Sequence, residues 1–436
     1  MQVLFSNRTV VSLVSGSLLG LSFITDYSAP FLAGLGLFLW FTYLGGTQTE
    51  KWNPGILFFL PMHFIALHWL WFVTGPLSQK LFSFLGPSLC NALMYSLLFM
   101  LLQKASKKWQ VPAGVKLAVA WMSVEFIQSN WELEFPWVRL GYVFAEFPWL
   151  IGAAAQVGVV GLAGLFFFFI LGLEQLMHER KGNWLLGLPL VWLALNAVPV
   201  GGGEKVLKAR MVQPNEDPYT EKFVSDQLAR TEKLWGLAGE NLSEVDVVVF
   251  PETAFQGRGL WERRWEYSKP ISTTVDSCKA HPNMDVIIGA SSYRKLKKGE
   301  AFSAATRNIR NSEVYYESYN TAALFNADTE VIYHKSKLVA GVEEIPFLNS
   351  LPFLKSISMD FGGAVGALGK QRESVVFQGK KANYAPVICY ESVFPAYLRE
   401  WLHKGAEVLV LMTNDAWWGF TDGHVQHLKR AKVLAA

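Results

Sequence analysis

Charge is scarce where this chain begins. Its first 200 positions hold only ten of the 39 Lys and Arg residues of the whole. Cysteine is scarce throughout, and three thiols in 436 residues (Cys90, Cys278 and Cys389) make no disulfide framework. Positive charge exceeds negative by only three and is interleaved along the chain, so there is no concentrated basic face of the kind nucleic acid requires. A glycine-rich phosphate loop is absent, and the eight histidines form no close pair with zinc-ligand spacing on a recognisable helix; His424 and His427 stand three apart but outside any such pattern. No metal site and no cofactor are expected.

Long apolar runs fill the space that charge leaves empty. A membrane-spanning helix needs about 20 mostly apolar residues, because an unpaired backbone in hydrocarbon is prohibitively costly. Segments near 9–25, 29–46, 54–74, 81–103, 112–128, 149–175 and 184–200 qualify, seven in all. Arg8 and the run after it resemble a signal peptide, but the next apolar segment begins at once, so the first is read as a retained helix. The loop Lys104–Gln110 and the loop around Arg180 and Lys181 are basic, whereas Ser129–Pro148 carries Glu132, Glu134 and Glu146 against Arg139. Basic loops stay on the cytoplasmic side. The amino terminus is therefore expected inside, and everything after Val200 outside. Glu125, near the outer end of the fifth segment, reads either as a functional intramembrane carboxylate or as an anchor for a neighbouring loop. The aromatic cluster at Phe135-Pro136-Trp137 reads first as an interfacial belt.

Beyond the Gly201-Gly202-Gly203 hinge the pattern changes to α/β. Val206–Val212, Val245–Phe250, Asp285–Gly289, Tyr319–Phe325, Val331–Tyr333, Tyr384–Ile388 and Val408–Met412 are expected strands. Phe223–Glu240 and Pro395–Lys404 are expected helices, and Asn326-Ala327-Asp328 a hairpin turn. The stretch Ile345–Phe361 is apolar but broken by prolines; it reads as a loop that contacts an acyl chain or membrane, or one that packs on its own domain.

Three strand ends carry reactive side chains. Glu252 follows Val247–Phe250, Lys335 follows Val331–Tyr333, and Cys389 follows Tyr384–Ile388. In an open α/β sheet the crevice beyond strand ends is where ligands bind. Taken singly, Glu252 reads as a helix cap, Lys335 as a solvated lysine and Cys389 as a core thiol. Together they make coherent chemistry. A thiol attacks a carbonyl only as thiolate, so it needs a base, Glu252, and a cation, Lys335. That lysine and the backbone N–H of Tyr390 would hold the oxyanion of a tetrahedral intermediate. A thioester then waits for an acceptor. Acyl transfer to an amine, hydrolysis by a membrane-tethered amidase or nitrilase, and a transporter or signalling protein with a ligand-binding soluble half all remain open at this point.

Pro251-Glu252-Thr253-Ala254, Tyr333-His334-Lys335 and Cys389-Tyr390-Glu391 resemble the Glu-Lys-Cys triad of the nitrilase, or carbon–nitrogen hydrolase, superfamily. With the membrane half, the chain is similar to that superfamily's membrane branch, the apolipoprotein N-acyltransferases. The similarity extends to Gly341–Phe347, Thr413–Gly419, Gln426-His427 and Phe135-Pro136-Trp137. The resemblance implies an all-α transmembrane domain over 1–203 and a periplasmic nitrilase-like αββα sandwich over 204–436, in the bacterial inner membrane. It also implies an acyl chain taken from a phospholipid and passed to the α-amino group of a diacylglyceryl-cysteine apolipoprotein, by a monomer amid membrane lipids. In that scheme Glu252 is the base, Lys335 the oxyanion lysine and Cys389 the nucleophile, with Glu343, Tyr390 and Glu391 in support. Asp217-Pro218-Tyr219 stands where many members carry a tryptophan, and the chain reads as ending short of the family's last strands and closing helix.

Overall fold

The computed structural model describes residues 7–45, 55–105, 111–131, 133–179, 184–198, 206–222, 226–256, 260–344 and 367–436. The apolar loop expected over 345–361 lies outside them, as do most of the two basic loops and the glycine hinge. The chain folds into two compact units, Met1–Gly202 with Trp418–Ala436, and Gly203–Trp417.

Each of the seven apolar segments contains a helix: α1 (Arg8–Ser22), α2 (Ala29–Gly45), α3 (Gly55–Ala66), α4 (Leu77–Ala105), α5 (Ala113–Ile127), α6 (Ala154–Glu179) and α7 (Leu188–Asn196). Asn7 caps α1, its side chain accepting from the Val10 N–H. Small residues let α1 lie close on α3. A Cβ added at Gly16 would stand 2.0 Å from the Phe58 carbonyl oxygen, so the contact is backbone to backbone. Among the described residues two stretches, Leu77–Ala105 and Ala154–His178, are long and apolar enough to cross a membrane.

Glu125 is fully buried on α5, where one carboxylate oxygen accepts from Trp121 Nε1 at 2.7 Å and from the Leu140 N–H at 3.1 Å. It thereby ties the connection after α5 to the helix, the loop-anchoring role. Trp137, read from the sequence as part of an aromatic belt, is turned inward. It lies buried against Trp69, with ring centroids 5.0 Å apart. Its indole N–H donates to Gln426 at 2.8 Å, and the Arg430 guanidinium lies 4.1 Å above its ring. Gln426 and Arg430 belong to α11 (Asp422–Ala435), which packs within the first unit although sequence reading grouped it with the second.

The described residues of the second unit form two sheets. The larger contains β1 (Ala209–Met211), β2 (Val247–Val249), β3 (Asp285–Lys295), β4 (Arg307–Asn308), β5 (Tyr315–Phe325) and β6 (Glu330–His334), in the order β1-β2-β3-β5-β4 with β6 also on β5. The smaller is β7 (Phe377–Gln378), β8 (Asn383–Ile388) and β9 (Val408–Met412). Strands β1, β2 and β3 run parallel, as do β8 and β9, whereas β3 and β5 pair antiparallel from Val286↔Phe325 to Lys295↔Tyr316. All seven expected strands form. β3 and β5 run longer than their apolar runs suggest, because their polar halves pair with each other. The Asn326 turn joins β5 to β6, its side chain accepting from the Asp328 and Thr329 N–H groups at 3.0 Å.

Helices α8 (Gln227–Ala238, capped by Asp226) and α9 (Lys269–Ala280) supply apolar faces to a core that includes Leu234, Phe250, Trp265, Ile271 and Ile288. Helix α10 (Pro395–His403) buries Trp401, whose indole N–H reaches the Val375 carbonyl at 2.9 Å. The carboxyl ends of β2, β8 and β9 and the end of β6 lead into one another's neighbourhood, and the reactive side chains collect there.

Candidate active site

Glu252 is placed by a turn that leaves β2 and crosses the middle of β3. Gly289 makes the crossing possible, since a Cβ there would stand 2.2 Å from the Pro251 carbonyl oxygen and 2.7 Å from the Glu252 Cα. Those neighbours are backbone and have no rotamer to yield. Gly289→Ala is expected to cost about 1–3 kcal/mol in urea unfolding and to slow Cys389 chemistry by displacing Glu252. Thr253, immediately after Glu252, has φ 48°, in the left-handed region.

Lys335 stands at the end of β6, its own N–H donating to the Asn320 carbonyl of β5 at 2.8 Å. Its side chain is 1% exposed, and its ammonium lies between two carboxylates, 3.3 Å from Glu252 Oε1 and 2.9 Å from Glu343 Oε2. Asn320 donates through Nδ2 to both glutamates, at 2.7 Å to Glu252 and 3.2 Å to Glu343. Glu252 Oε2 accepts from the Asn414 N–H beyond β9 at 3.1 Å, and Glu343 Oε2 from the Val339 N–H at 2.9 Å. Burial raises the Glu252 pKa, but Lys335, Lys222 and the donors from Asn320 and Lys335 outweigh it and hold the group below its ordinary value. Burial likewise lowers Lys335, and the carboxylates of Glu343 and Glu252 reverse this, leaving it raised.

Cys389 closes β8 with φ 47° and opens a short 3-10 turn, Cys389–Val393. A non-glycine residue held there costs about 1–3 kcal/mol, and such backbone clusters at active sites. The thiol is pushed well up by burial and by the Glu252 charge, with Lys335 pulling the other way, so the three groups act on one another directly. Asp415 raises it further, and a hydrogen bond with Thr413 lowers it.

Tyr390 and Glu391 are buried beside this centre. The Tyr390 ring is buried edge-on against Phe394 at 5.3 Å. Glu391 is fully buried, accepting from Tyr333 OH and from the Ser336 N–H (2.7 Å) through one oxygen and from the Ile388 N–H (2.8 Å) through the other. It pins the Cys389 turn to the Lys335 loop. Burial pushes its carboxyl up to about 7 against those donors.

Sequence reading thus located Glu252, Lys335, Cys389 and Glu343, which the structure brings together. It missed Asn320, Asn414 and Lys222. Asn320 left a weak signal, an amide in an expected strand, Tyr319–Phe325, whose other residues except Thr321 are apolar or aromatic. Lys222 left none, being one lysine after a polar turn; its ammonium donates to the Glu252 carbonyl oxygen at 2.9 Å. Tyr219 of that turn packs edge-on to Trp417 at 5.1 Å and donates to its carbonyl oxygen at 3.1 Å. Among the described residues no group of His, Cys, Asp and Glu is arranged to hold a metal ion.

Residues 15–173 match the family described as the apolipoprotein N-acyltransferase N-terminal domain, and residues 208–436 match the carbon–nitrogen hydrolase family. An apolipoprotein N-acyltransferase of Chlorobaculum tepidum is 26% identical, the alignment covering 97% of this chain and 82% of the relative. Apolipoprotein N-acyltransferase 1 of Treponema pallidum is 28% identical over 81% of this chain and 70% of its own. The apolipoprotein N-acyltransferase of Rickettsia prowazekii is 26% identical over 72% of this chain and 60% of its own.

Proposed function

This chain belongs to the carbon–nitrogen hydrolase family, and on that premise we propose that it N-acylates lipoproteins, taking an acyl chain from a phospholipid through a thioester on Cys389. The observation that carries the reading is the buried arrangement of Lys335 between Glu252 and Glu343, acting on a thiol held in a left-handed turn, in a chain that also has long apolar helices. Kinship with relatives named for this reaction supports the choice of substrates.

In the first half-reaction Glu252 takes the Cys389 proton as Sγ attacks the ester carbonyl of the donor. Lys335 stabilises the resulting oxyanion. The carbon–oxygen bond to glycerol breaks, the departing alkoxide takes the proton from Glu252, and a lysophospholipid leaves. In the second half the α-amino group of a diacylglyceryl-cysteine attacks the thioester and gives a proton to Glu252; the carbon–sulfur bond breaks and the thiolate recovers that proton. A thioester suits this division, because it accepts a second nucleophile more readily than the ester that formed it. Glu343 positions Lys335 rather than serving as a second base, since its oxygens are taken by Lys335, Asn320 and the Val339 N–H. We assign the unit 1–202 with 418–436 as the one that carries the multi-pass membrane base and 203–417 as an αββα catalytic domain on the periplasmic face of the inner membrane, following the compact units and the loop charges.

Intact-mass measurement of the protein incubated with phosphatidylethanolamine tests the reading. An added acyl mass, absent from Cys389→Ser and discharged by a diacylglyceryl-cysteine peptide onto its amine, is the expected result. Absence of the adduct overturns it, and release of free fatty acid without transfer to the amine makes the protein a hydrolase instead.

A further inference from the structure

Lys222 has no part in the chemistry above, yet its ammonium is buried in the same site. The turn before it is closed by the Asp217 carbonyl, which accepts from the Glu221 and Lys222 N–H groups at 3.0 and 2.9 Å. The Lys222 carbonyl is gripped by Arg230 of α8 and by Gln256, so the residue is held from both sides of its peptide. Its side chain is 4% exposed, and its ammonium meets the Glu252 carbonyl oxygen at 2.9 Å.

The charged groups that face Lys222 can be named individually. Glu252, after β2, attracts it, as does Cys389, after β8, once it is a thiolate; Arg230, from α8, repels it; and Glu216, on its own loop, attracts it. Arg230 is itself neutralised by Glu216 at 2.6 Å, so the field of that pair largely cancels at the site. What lies nearest is two lysines, Lys222 and Lys335, against two carboxylates, Glu252 and Glu343, with Asp415 adding negative charge at Cys389. Passing the Cys389 proton to Glu252 leaves the sum unchanged. Without Lys222 the site is one unit more negative in both states, in surroundings where burial already penalises charge.

We propose that Lys222 is a second cation of the site, a positioning residue that fixes the Glu252 peptide and supplies the charge that keeps Glu252 ionised and Cys389 reactive near neutral pH. Burial draws the Lys222 pKa down to about 8, with Glu252 opposing, so the residue is charged at neutral pH and releases its proton soon above it.

This inference rests on the assignment of Glu252 and Cys389, and its test separates the two. Lys222→Gln keeps a donor for the Glu252 carbonyl but removes the charge. The second-order rate of Cys389 alkylation by iodoacetamide, followed by intact mass on the full chain from pH 5 to 9 with Cys389→Ser as blank, reports the site's electrostatics without a lipid. The rising limb of the wild-type profile is expected to move up by about one pH unit in Lys222→Gln, which is about tenfold slower alkylation at a fixed pH on that limb. A limb within about 0.3 units of wild type, in a variant that still unfolds cooperatively, overturns the charge role. Should Lys222→Gln fail to fold, Lys222→Met fills similar volume without burying a polar head group, and although it loses the donor to the Glu252 carbonyl as well as the charge, an unshifted limb in it overturns the charge role equally. A shifted limb in a protein that never forms an acyl adduct leaves the Lys222 role standing and defeats the lipid reading. An adduct with an unshifted limb does the reverse.

Discussion

Glu252→Gln is expected to slow formation of the Cys389 acyl adduct by about 10²–10⁴-fold, the usual worth of a positioned general base. The substitution nearly preserves volume but inverts the bonding. Among the described residues the groups that hydrogen-bond the Glu252 carboxylate are all donors: Asn320 Nδ2, the Lys335 ammonium and the Asn414 N–H. A glutamine amide satisfies such a ring on one side only and turns its NH2 toward another donor, which adds a stability loss of about 1–3 kcal/mol. The pH dependence separates the two effects. Because the folded-state pKa of Glu252 lies below its ordinary value, its contribution to stability is fully present above the unfolded pKa and is lost as pH falls through the folded one. Urea unfolding from pH 7 downward is expected to show wild type losing stability across that acid window, with a shallower loss in Glu252→Gln. Equal slopes, or an adduct formed at the wild-type rate, would count against Glu252 as the ionised base.

The other large effect falls on Lys335. Lys335→Met removes the ammonium that separates Glu252 from Glu343 and leaves two buried carboxylates joined only through Asn320 Nδ2. Breaking a buried ion pair from one side costs about 3–5 kcal/mol, because the remaining charge keeps its desolvation penalty. Here two charges are left behind, so the upper part of that range is expected, along with loss of the acyl adduct. The loss should be partly recovered by removing one of them. Lys335→Met with Glu343→Gln is expected to be less destabilised than the sum of the single changes, by about 1–3 kcal/mol in a double-mutant cycle. Strict additivity would mean that Glu343 does not hold the lysine. Recovery of stability without recovery of the adduct is the expected pattern, since the oxyanion donor is still missing.

How much of this was legible beforehand follows from which interactions are local. Glu252, Lys335 and Cys389 each sit just past a short apolar run, and strand ends in an α/β sheet converge; position along the chain therefore stood in for position in space. Asn320 was visible only as an anomaly, a polar amide inside a strand. Lys222 was invisible, because its meaning depends on the Glu252 peptide 30 residues away. The burial of Trp137 was invisible for the same reason. An aromatic residue beside apolar segments usually marks an interface, but its partners Gln426 and Arg430 lie nearly 300 residues on and bury it. Glu391 was noted as a neighbour of the nucleophile, yet its carboxylate serves the Ser336 and Ile388 backbone instead. Patterns two to four residues long carry secondary structure, whereas hydrogen bonds between strand-end loops are set by register and leave no periodic trace.

The left-handed backbone at Cys389 and at Thr253 has a consequence for how such a sequence changes over time. At both positions glycine would relieve the strain at no steric cost. At 389 it would also delete the only atom that makes the bond, and at 253 it would loosen the turn that aims the base. The side chains there are kept against the preference of their own backbone, so drift toward greater stability at these two sites is drift away from catalysis.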